Sequence, residues 1–218
     1  MNIYLIILII ILFCSCCIIS LICLKKTGEK FSTSGYNISE EDKSKFKKDD
    51  YASTYGTLEK KGFEKIIQEV KKYKNNKWID DRVFIDLGSG EGKVPIFGLD
   101  YPFKLLLGVE LSTSRHNIAI DERKNLSQNK KDRLFFYNTD LLKYDFKNVD
   151  LIYLSSLCFN SKFLEKISDK LSKELKNGSI ICGSSKLKND SLKFINSYDV
   201  EQSWSPKSKI YMYEKNTK

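Results

Sequence analysis

The stretch FIDLGSGEGK, residues 84–93, decides the fold of this protein. It begins as a short apolar run of the kind that forms a buried strand, and it passes an acid at Asp86. It then turns through glycines on alternate positions, Gly88, Gly90 and Gly92. A buried strand that ends in such a turn is typical of α/β folds that bind a ligand at the carboxyl edge of a parallel sheet.

Two phosphate-binding motifs do not fit this turn. A nucleotide P-loop needs a glycine five residues before the second glycine and a hydroxyl after the lysine, but Leu87 and Val94 stand at those positions. The dinucleotide motif G-x-G-x-x-G fails because the third glycine, Gly92, comes one residue early. Asp86 would also repel a pyrophosphate. The turn therefore favours a ligand without phosphate.

An acid at the end of the strand suits a cationic ligand instead. S-adenosylmethionine carries an ammonium and a sulfonium group, and D-x-G-x-G-x-G is the pattern of class I methyltransferases. The next strand should then end in an acid for the ribose hydroxyls, where Glu110 stands, and the third in a polar residue near the adenine, where Asp140 stands. Either acid alone could be a helix cap or a turn residue. Three acids at three successive strand ends predict an S-adenosylmethionine site.

The rest of the chain from residue 51 predicts a Rossmann-like α/β domain. Apolar residues recur at helical spacing over 58–74 and 161–176. Strands are predicted at 82–88, 104–111, 133–140, 149–156 and 178–185. Their alternation with helices implies a parallel sheet. Two strand-like runs near the end, joined by residues 205–207, predict a closing antiparallel hairpin.

The chain before the domain divides into two parts. Residues 3–24 carry no charged side chain and are long enough to span a bilayer, so they predict a transmembrane helix. A buried core helix is the alternative, and a cleaved signal peptide does not fit because there is no basic n-region. Lys25 and Lys26 follow directly, which places the domain on the cytosolic side of a single-pass membrane protein. Residues 25–50 are polar with mixed charge and predict a flexible linker, followed by a methyltransferase domain at 51–218.

Composition limits the chemistry and the partners. A single histidine, His116, and the spacing of the six cysteines argue against a metal site or a histidine-based triad and favour a reducing compartment. The net charge of +9 favours acidic partners such as nucleic acid or anionic lipid, although a general bias toward Lys, Asn and Ile explains it equally well. We expect no metal and a monomeric protein.

Five segments resemble one family, the disruptor-of-telomeric-silencing (DOT) type of non-SET histone-lysine methyltransferases. TYGTLEKKG (54–62) is similar to that family's Y-G-E loop, and FIDLGSGEGK to its D-L-G-S-G-x-G turn. LIYLSSLCF (151–159) resembles V-x-F-V-N-N-x-x-F, and ICGSSKL (181–187) resembles I-V-S-S-K-P. SWSPKSKIYMY (203–213) resembles the terminal S-W-T-x-K-x-x-x-Y-Y hairpin. Small membrane-anchored lysine methyltransferases of organelles are a second, weaker resemblance.

The resemblance implies a role for particular residues. Those expected to bind the cofactor are Tyr55, Gly56, Thr57, Asp86, Gly88, Ser89, Gly90, Gly92, Glu110, Asp140 and Leu141. Ser156 would lie beside the transferred methyl group, and Tyr211 would line the channel of the acceptor lysine. Ser184 and Ser185 would shape the same pocket, whereas Trp204 is expected to be a packing residue.

The chain departs from the family where Thr57 replaces an acid and where serines replace the paired asparagines at 155–156. The family's long helical N-terminal region and its basic nucleosome-binding tract are also missing.

We therefore expect a membrane-anchored methyltransferase that acts on lysine of a protein, with a histone as one candidate. Enzymes that methylate amide or adenine nitrogens commonly carry a proline pair after the fourth strand, and SSLCF (155–159) has none. A cofactor-binding pseudoenzyme that serves as an interaction module is one alternative. A methyltransferase of nucleic acid, contacted through the basic surface, or of a small molecule is another.

Overall fold

The computed structural model describes residues 38–48 and 56–216. The helices are α1 (Glu40–Lys48), α2 (Lys60–Tyr73), α3 (Lys93–Phe97), α4 (Thr113–Lys124), α5 (Gln128–Lys131) and α6 (Ser161–Glu174). The strands are β1 (Val83–Leu87), β2 (Leu105–Glu110), β3 (Leu134–Asn138), β4 (Leu151–Leu154), β5 (Ile180–Gly183), β6 (Leu192–Gln202) and β7 (Ser205–Lys215). Each helix and strand predicted between residues 58 and 185 is present, and its ends lie within two residues of the predicted ones.

Within these described residues the strands form a seven-stranded mixed sheet in the order β3-β2-β1-β4-β5-β7-β6. Strands β1 to β5 are parallel, and β7 runs antiparallel between β5 and β6. The chain enters at the centre, moves outward to β3 and returns to β4, so a crevice opens at the carboxyl ends of the central strands. The predicted Rossmann-like sheet with a C-terminal hairpin is confirmed.

Both faces of the sheet are buried beneath helices. On one face, Phe63 of α2 meets Phe84 of β1 edge to face, with 5.4 Å between ring centroids. On the other face, Ile167 of α6 lies in one apolar cluster with Ile85 and Leu87 of β1. Burial of each such side chain stabilises the fold by about 1.5–3 kcal/mol. This two-sided packing holds β1 rigidly beneath the glycine turn that follows it.

The turn of the C-terminal hairpin lies two residues earlier than predicted. Gln202 pairs with Ser205, so Ser203 and Trp204 form the turn instead of residues 205–207. Pro206 falls where the β6–β7 register shifts, and a bulge tolerates a residue without a backbone N–H. The proline therefore marks a bulge next to the turn.

The prediction of a flexible linker through residue 50 is wrong for residues 40–48, which form α1. This helix has no apolar stripe that periodicity could detect. Its first turn is capped by Ser39, whose hydroxyl accepts a hydrogen bond from the Asp42 backbone N–H at 3.1 Å. Asp42 is buried against the start of α4, so tertiary contacts hold the helix in place.

No helix in the described part of the chain is both long and apolar enough to cross a bilayer. The transmembrane helix predicted at residues 3–24 lies outside the described residues.

Candidate active site

A cavity of about 330 Å³ opens at the carboxyl ends of the parallel strands. Its walls come from α1, the loop before α2, the turns after β1 to β4, the start of α6 and the β6–β7 turn. Five of the predicted cofactor residues line it: Gly56, Gly88, Glu110, Asp140 and Leu141. The structure therefore brings these five predicted residues together at one cavity, and it adds walls that sequence patterns did not indicate.

The glycine turn after β1 needs glycine for two different reasons. Gly88 lines the cavity with φ +82°, and a Cβ there would meet no atom within 4 Å, so the turn faces open space. Gly92 has φ +83°, and a Cβ there would lie 2.5 Å from the ring of Phe136. L side chains rarely adopt such positive φ values. The turn is thus open to the cavity at Gly88 and tightly packed against Phe136 at Gly92.

Glu110 fixes the turn from the neighbouring strand. Its two carboxylate oxygens accept hydrogen bonds from the backbone N–H groups of Gly90 and Ser112, each at 2.8 Å. Burial raises the pKa of Glu110, and these two N–H groups together with the Arg115 guanidinium offset part of that rise. Each carboxylate oxygen retains a second lone pair. Glu110 can therefore still accept hydrogen bonds from ligand hydroxyl groups.

Asp86 lies behind the cavity wall, beside Gly108 and Tyr153 in the sheet. It is only 2% exposed, and its Oδ1 has no hydrogen-bond partner within the described chain. Burial, and then the charge of Glu110, raises the pKa of Asp86 well above its usual value. A buried carboxylate without a donor is costly unless a cation or a donor reaches it. The pair therefore fits a ligand with a cationic end and hydroxyl groups, as S-adenosylmethionine has.

Two further cofactor candidates lie behind the turn. Ser89 is 8% exposed, its backbone N–H donates to the Val109 carbonyl at 3.0 Å, and its hydroxyl is unpartnered among the described residues. Gly90 contributes the N–H that Glu110 accepts. These residues shape the turn and do not line the cavity themselves.

Asp140 and Leu141 lie at the end of β3, where the adenine contact was predicted. The Asp140 carboxylate accepts a hydrogen bond from the Leu142 backbone N–H at 2.8 Å, which closes a local turn. Leu141 is 7% exposed and belongs to the apolar cluster under the cavity. This end of the cavity thus combines one carboxylate with an apolar floor.

The loop before α2 is held by the C-terminal hairpin. The Thr57 backbone N–H donates to the Ser203 hydroxyl at 3.1 Å, and the Ser203 N–H donates back to the Thr57 carbonyl at 2.9 Å. A Cβ on Gly56 would lie 2.3 Å from the indole of Trp204. Trp204 packs against this loop as expected, but it is also 44% exposed and forms part of the cavity wall. Tyr55 lies outside the described residues.

The residues predicted on the acceptor side are not part of the cavity wall. Ser156 is fully buried; its N–H donates to the Ser184 hydroxyl at 3.3 Å and its hydroxyl accepts from the Ser185 N–H at 3.1 Å. The wall here is formed by Ser155 instead. These hydrogen bonds join the ends of β4 and β5. The role of Ser156 in methyl transfer stays a prediction.

Tyr211 is half-buried on β7, in register with Gly183 at the end of β5. The ammonium of Lys186 lies 5.7 Å from the centroid of its ring, within cation–π range. A lysine of this chain therefore already covers one face of the ring that the resemblance assigns to the acceptor channel. Its role as a channel residue also stays a prediction.

Two walls of the cavity were missed by the sequence patterns. Phe46 of α1 and Arg115 of α4 both line it, and the guanidinium carbon lies 5.9 Å from the phenyl centroid. Leu157 and Phe159 line it from the loop after β4. The motif Ser39-x-x-Asp42 has the form of a capping box and could have indicated the helix that carries Phe46.

Comparison with known proteins places these features in context. The sequence profile of the family described as histone methylation protein DOT1 matches residues 36–216. No curated protein matches the chain. An RNA methyltransferase from Salinibacter ruber, solved with S-adenosyl-L-homocysteine, is similar in structure, with a TM-score of 0.51 and 15% identity over 71% of this chain and 92% of that one.

Two other solved structures show the same architecture. Magnesium protoporphyrin IX methyltransferase from Synechocystis, with bound S-adenosylmethionine, has a TM-score of 0.54 and 13% identity, and the match covers 71% of this chain and 80% of that one. The cyclase SpnF has a TM-score of 0.55 and 13% identity over 77% of this chain and 88% of that one. At such identities the likeness establishes the fold alone.

Proposed function

The chain belongs to the DOT1 family of histone methylation proteins, and from this premise we propose that it transfers a methyl group from S-adenosylmethionine to a lysine side chain of a protein. Its cofactor is S-adenosylmethionine. The observation that carries the proposal is the arrangement at the carboxyl edge of the sheet. The open glycine turn and a buried carboxylate on β2 line one cavity, and on β1 the carboxylate of Asp86 is buried behind that wall with an Oδ1 that has no hydrogen-bond partner in the described chain.

The residues of the chain position and desolvate the reactants. When bound, S-adenosylmethionine supplies a sulfonium-bound methyl group, whose carbon a nucleophile can attack while the sulfur leaves as the neutral thioether of S-adenosylhomocysteine. In this proposal Glu110 holds the ribose hydroxyl groups, and Asp86 favours the cationic methionine end. Apolar side chains around the cavity exclude water from the reacting groups.

A lysine acceptor suits the walls of this cavity. Leu157 and Trp204 line it and are also large apolar side chains exposed to solvent, at 53% and 44%. The long aliphatic stem of a lysine can lie along such a rim while its nitrogen reaches inward. Lysine must lose a proton before it attacks, and an apolar environment lowers the pKa of an ammonium group. The rim therefore supports the entry of lysine, and its apolar side chains favour the neutral amine, with the proton released to solvent.

We further propose that residues 3–24 anchor the protein in a membrane, with the domain on the cytosolic side. The support is the uncharged length of that segment and the two lysines that follow it. Fractionation of cells that express the full chain would place it with membranes that carbonate washing does not strip. Recovery in the wash would contradict the anchor.

The proposed activity is tested with the full-length chain, purified in detergent, and S-adenosylmethionine labelled in the methyl group. Core histones, nucleosomes, a membrane-protein extract and total RNA are offered as separate acceptors. Glu110→Ala serves as the variant with an impaired site. Asp121→Ala serves as a matched control, because this carboxylate lies on the exposed surface of α4, in an ion pair with Lys124.

The proposal predicts label in a protein pool, with wild-type chain and Asp121→Ala but not with Glu110→Ala. Label on histones would favour the acceptor of the family, and label on the membrane extract would favour a neighbour of the anchor. Label on RNA alone would replace lysine by nucleic acid as acceptor. Cofactor binding with no transfer to any pool would favour a pseudoenzyme.

A further inference from the structure

Helix α1 supplies a wall of the cofactor cavity. Phe46 lies in its last turn, is 7% exposed and lines the cavity beside Arg115, which is 4% exposed. The guanidinium carbon of Arg115 lies 5.9 Å from the phenyl centroid, which is within cation–π range. The aromatic ring and the guanidinium therefore form one continuous surface on this side of the cavity.

Asp42 attaches α1 to the start of α4. Its carboxylate is buried and accepts hydrogen bonds from the Ser112 hydroxyl at 2.8 Å and from the backbone N–H groups of Thr113 and Ser114, each at 2.9 Å. Burial alone would raise the pKa of Asp42, but these hydrogen bonds outweigh it and hold the pKa far below its usual range. The attachment is thus a charged one that persists at neutral pH.

Ser112 places this attachment next to the predicted ribose site. Its backbone N–H donates to Glu110 at 2.8 Å, while its hydroxyl donates to Asp42. Two carboxylates on different elements therefore bind the same residue, one from inside the cavity and one from α1. Lys45 adds a further contact, since its ammonium donates to the Thr113 hydroxyl at 2.9 Å. The wall that carries Phe46 consequently lies on the side of the cavity where Glu110 stands.

We propose that Phe46 contacts the adenosine half of the cofactor and that Asp42 is the positioning residue that holds it there. Helix α1 is then part of the binding site, although its sequence has the composition of a linker. Removal of the Asp42 charge releases α1 from α4 and opens this wall to solvent. The inference depends on binding of the cofactor in this cavity and does not depend on which acceptor is methylated.

Calorimetric titration of the full-length chain with S-adenosylhomocysteine tests the proposal. Asp42→Asn keeps the size of the side chain but turns an amide NH2 toward backbone donors, and Phe46→Ala removes the aromatic wall. Each is expected to raise the Kd about tenfold. The Kd of the double variant is expected to be no higher than that of the single variant that binds more weakly, because Asp42 acts through Phe46. Glu40→Gln, a carboxylate with an 87% exposed side chain on the same helix, is the control that leaves the Kd unchanged.

Three results would overturn the proposal. The Kd of both single variants could stay within about twofold of wild type, which would remove α1 from the site. The effects of the two substitutions on the binding free energy could add, which would show that Asp42 does not act through Phe46. Absence of binding by the wild-type chain would refute the cofactor site itself. Amide exchange of residues 40–48 in the wild-type chain is an independent check, since it should slow on binding of S-adenosylhomocysteine and unchanged exchange would contradict the assignment.

Discussion

Substitution of Glu110 by glutamine tests the cofactor site without changing its size. The carboxylate is 5% exposed, and each oxygen accepts one backbone N–H at 2.8 Å, from Gly90 and from Ser112. Glutamine can present only one oxygen to these two donors. Its NH2 group then faces one of the N–H groups, and one hydrogen bond of the turn is lost.

The expected loss of cofactor affinity follows from the charge of this group. A hydrogen bond to a charged group contributes about 1.5–3 kcal/mol, so loss of the carboxylate should raise the Kd for S-adenosylhomocysteine roughly 10- to 150-fold. The free protein should change less in stability, because burial disfavours the charged form of Glu110 and the substitution removes that penalty. This variant is therefore expected to lose cofactor affinity while its stability changes less.

Calorimetry gives the affinity, and thermal unfolding of the free protein gives the stability. Asp121→Asn is the control, since it removes an exposed carboxylate from the neighbouring helix. A Kd unchanged in Glu110→Gln would refute the placement of the ribose at Glu110. A large fall in Tm together with the loss of binding would mean that Glu110 acts only as a structural residue.

Three other substitutions probe the surroundings of the site. Because the pKa of Asp86 is raised, the free protein should lose stability, and bind the cationic ligand more tightly, as pH rises from about 4 through this pKa. Asp86→Asn should flatten both pH profiles, measured by thermal melting and by calorimetry, and profiles that match wild type would contradict the cationic contact. Gly56→Ala should lower the free energy of unfolding by about 1–3 kcal/mol, because the new methyl group overpacks against the indole of Trp204. The loss should disappear when Trp204 is replaced by leucine, whereas an equal loss with and without Trp204→Leu would exclude this contact. Gly92→Ala should destabilise the fold by about 1–3 kcal/mol more than Gly178→Ala, which shares the positive φ but whose Cβ would meet only the Lys74 ammonium, at 3.8 Å. Equal urea midpoints would show that only the backbone conformation matters.

The sheet and the glycine turn at its carboxyl edge were predictable because they follow from strong local patterns. The apolar run before Asp86 forms a strand in any context that buries it, and glycines at 88, 90 and 92 have left-handed φ values that the turn requires. The apolar period of α2 and α6 is likewise a property of the sequence alone. Patterns of this kind predict strands, helices and the turn between them before any tertiary contact is known.

Helix α1 and the exact hairpin turn depend on distant residues. Asp42 stabilises α1 by accepting a hydrogen bond from Ser112, which lies 70 positions further along the chain. Propensity within a charged nine-residue segment gives no sign of that contact. The position of Trp204 depends on a bulge at Pro206 that moves the turn to residues 203–204. The capping-box motif could indicate that a helix begins at α1, but the contacts that place α1 and this turn follow from tertiary pairing and could not be predicted from local sequence.

The most direct test of the account is the chemical identity of the methylated product. Protein labelled by the full-length chain is hydrolysed to amino acids, and the labelled species is identified by mass spectrometry against methyl-lysine and methyl-arginine standards. The account predicts label on the side-chain nitrogen of lysine, and much less of it in the Glu110→Gln reaction when the cofactor concentration is below the Kd of that variant. Label on arginine, on a carboxyl ester or only on RNA would contradict lysine as the acceptor.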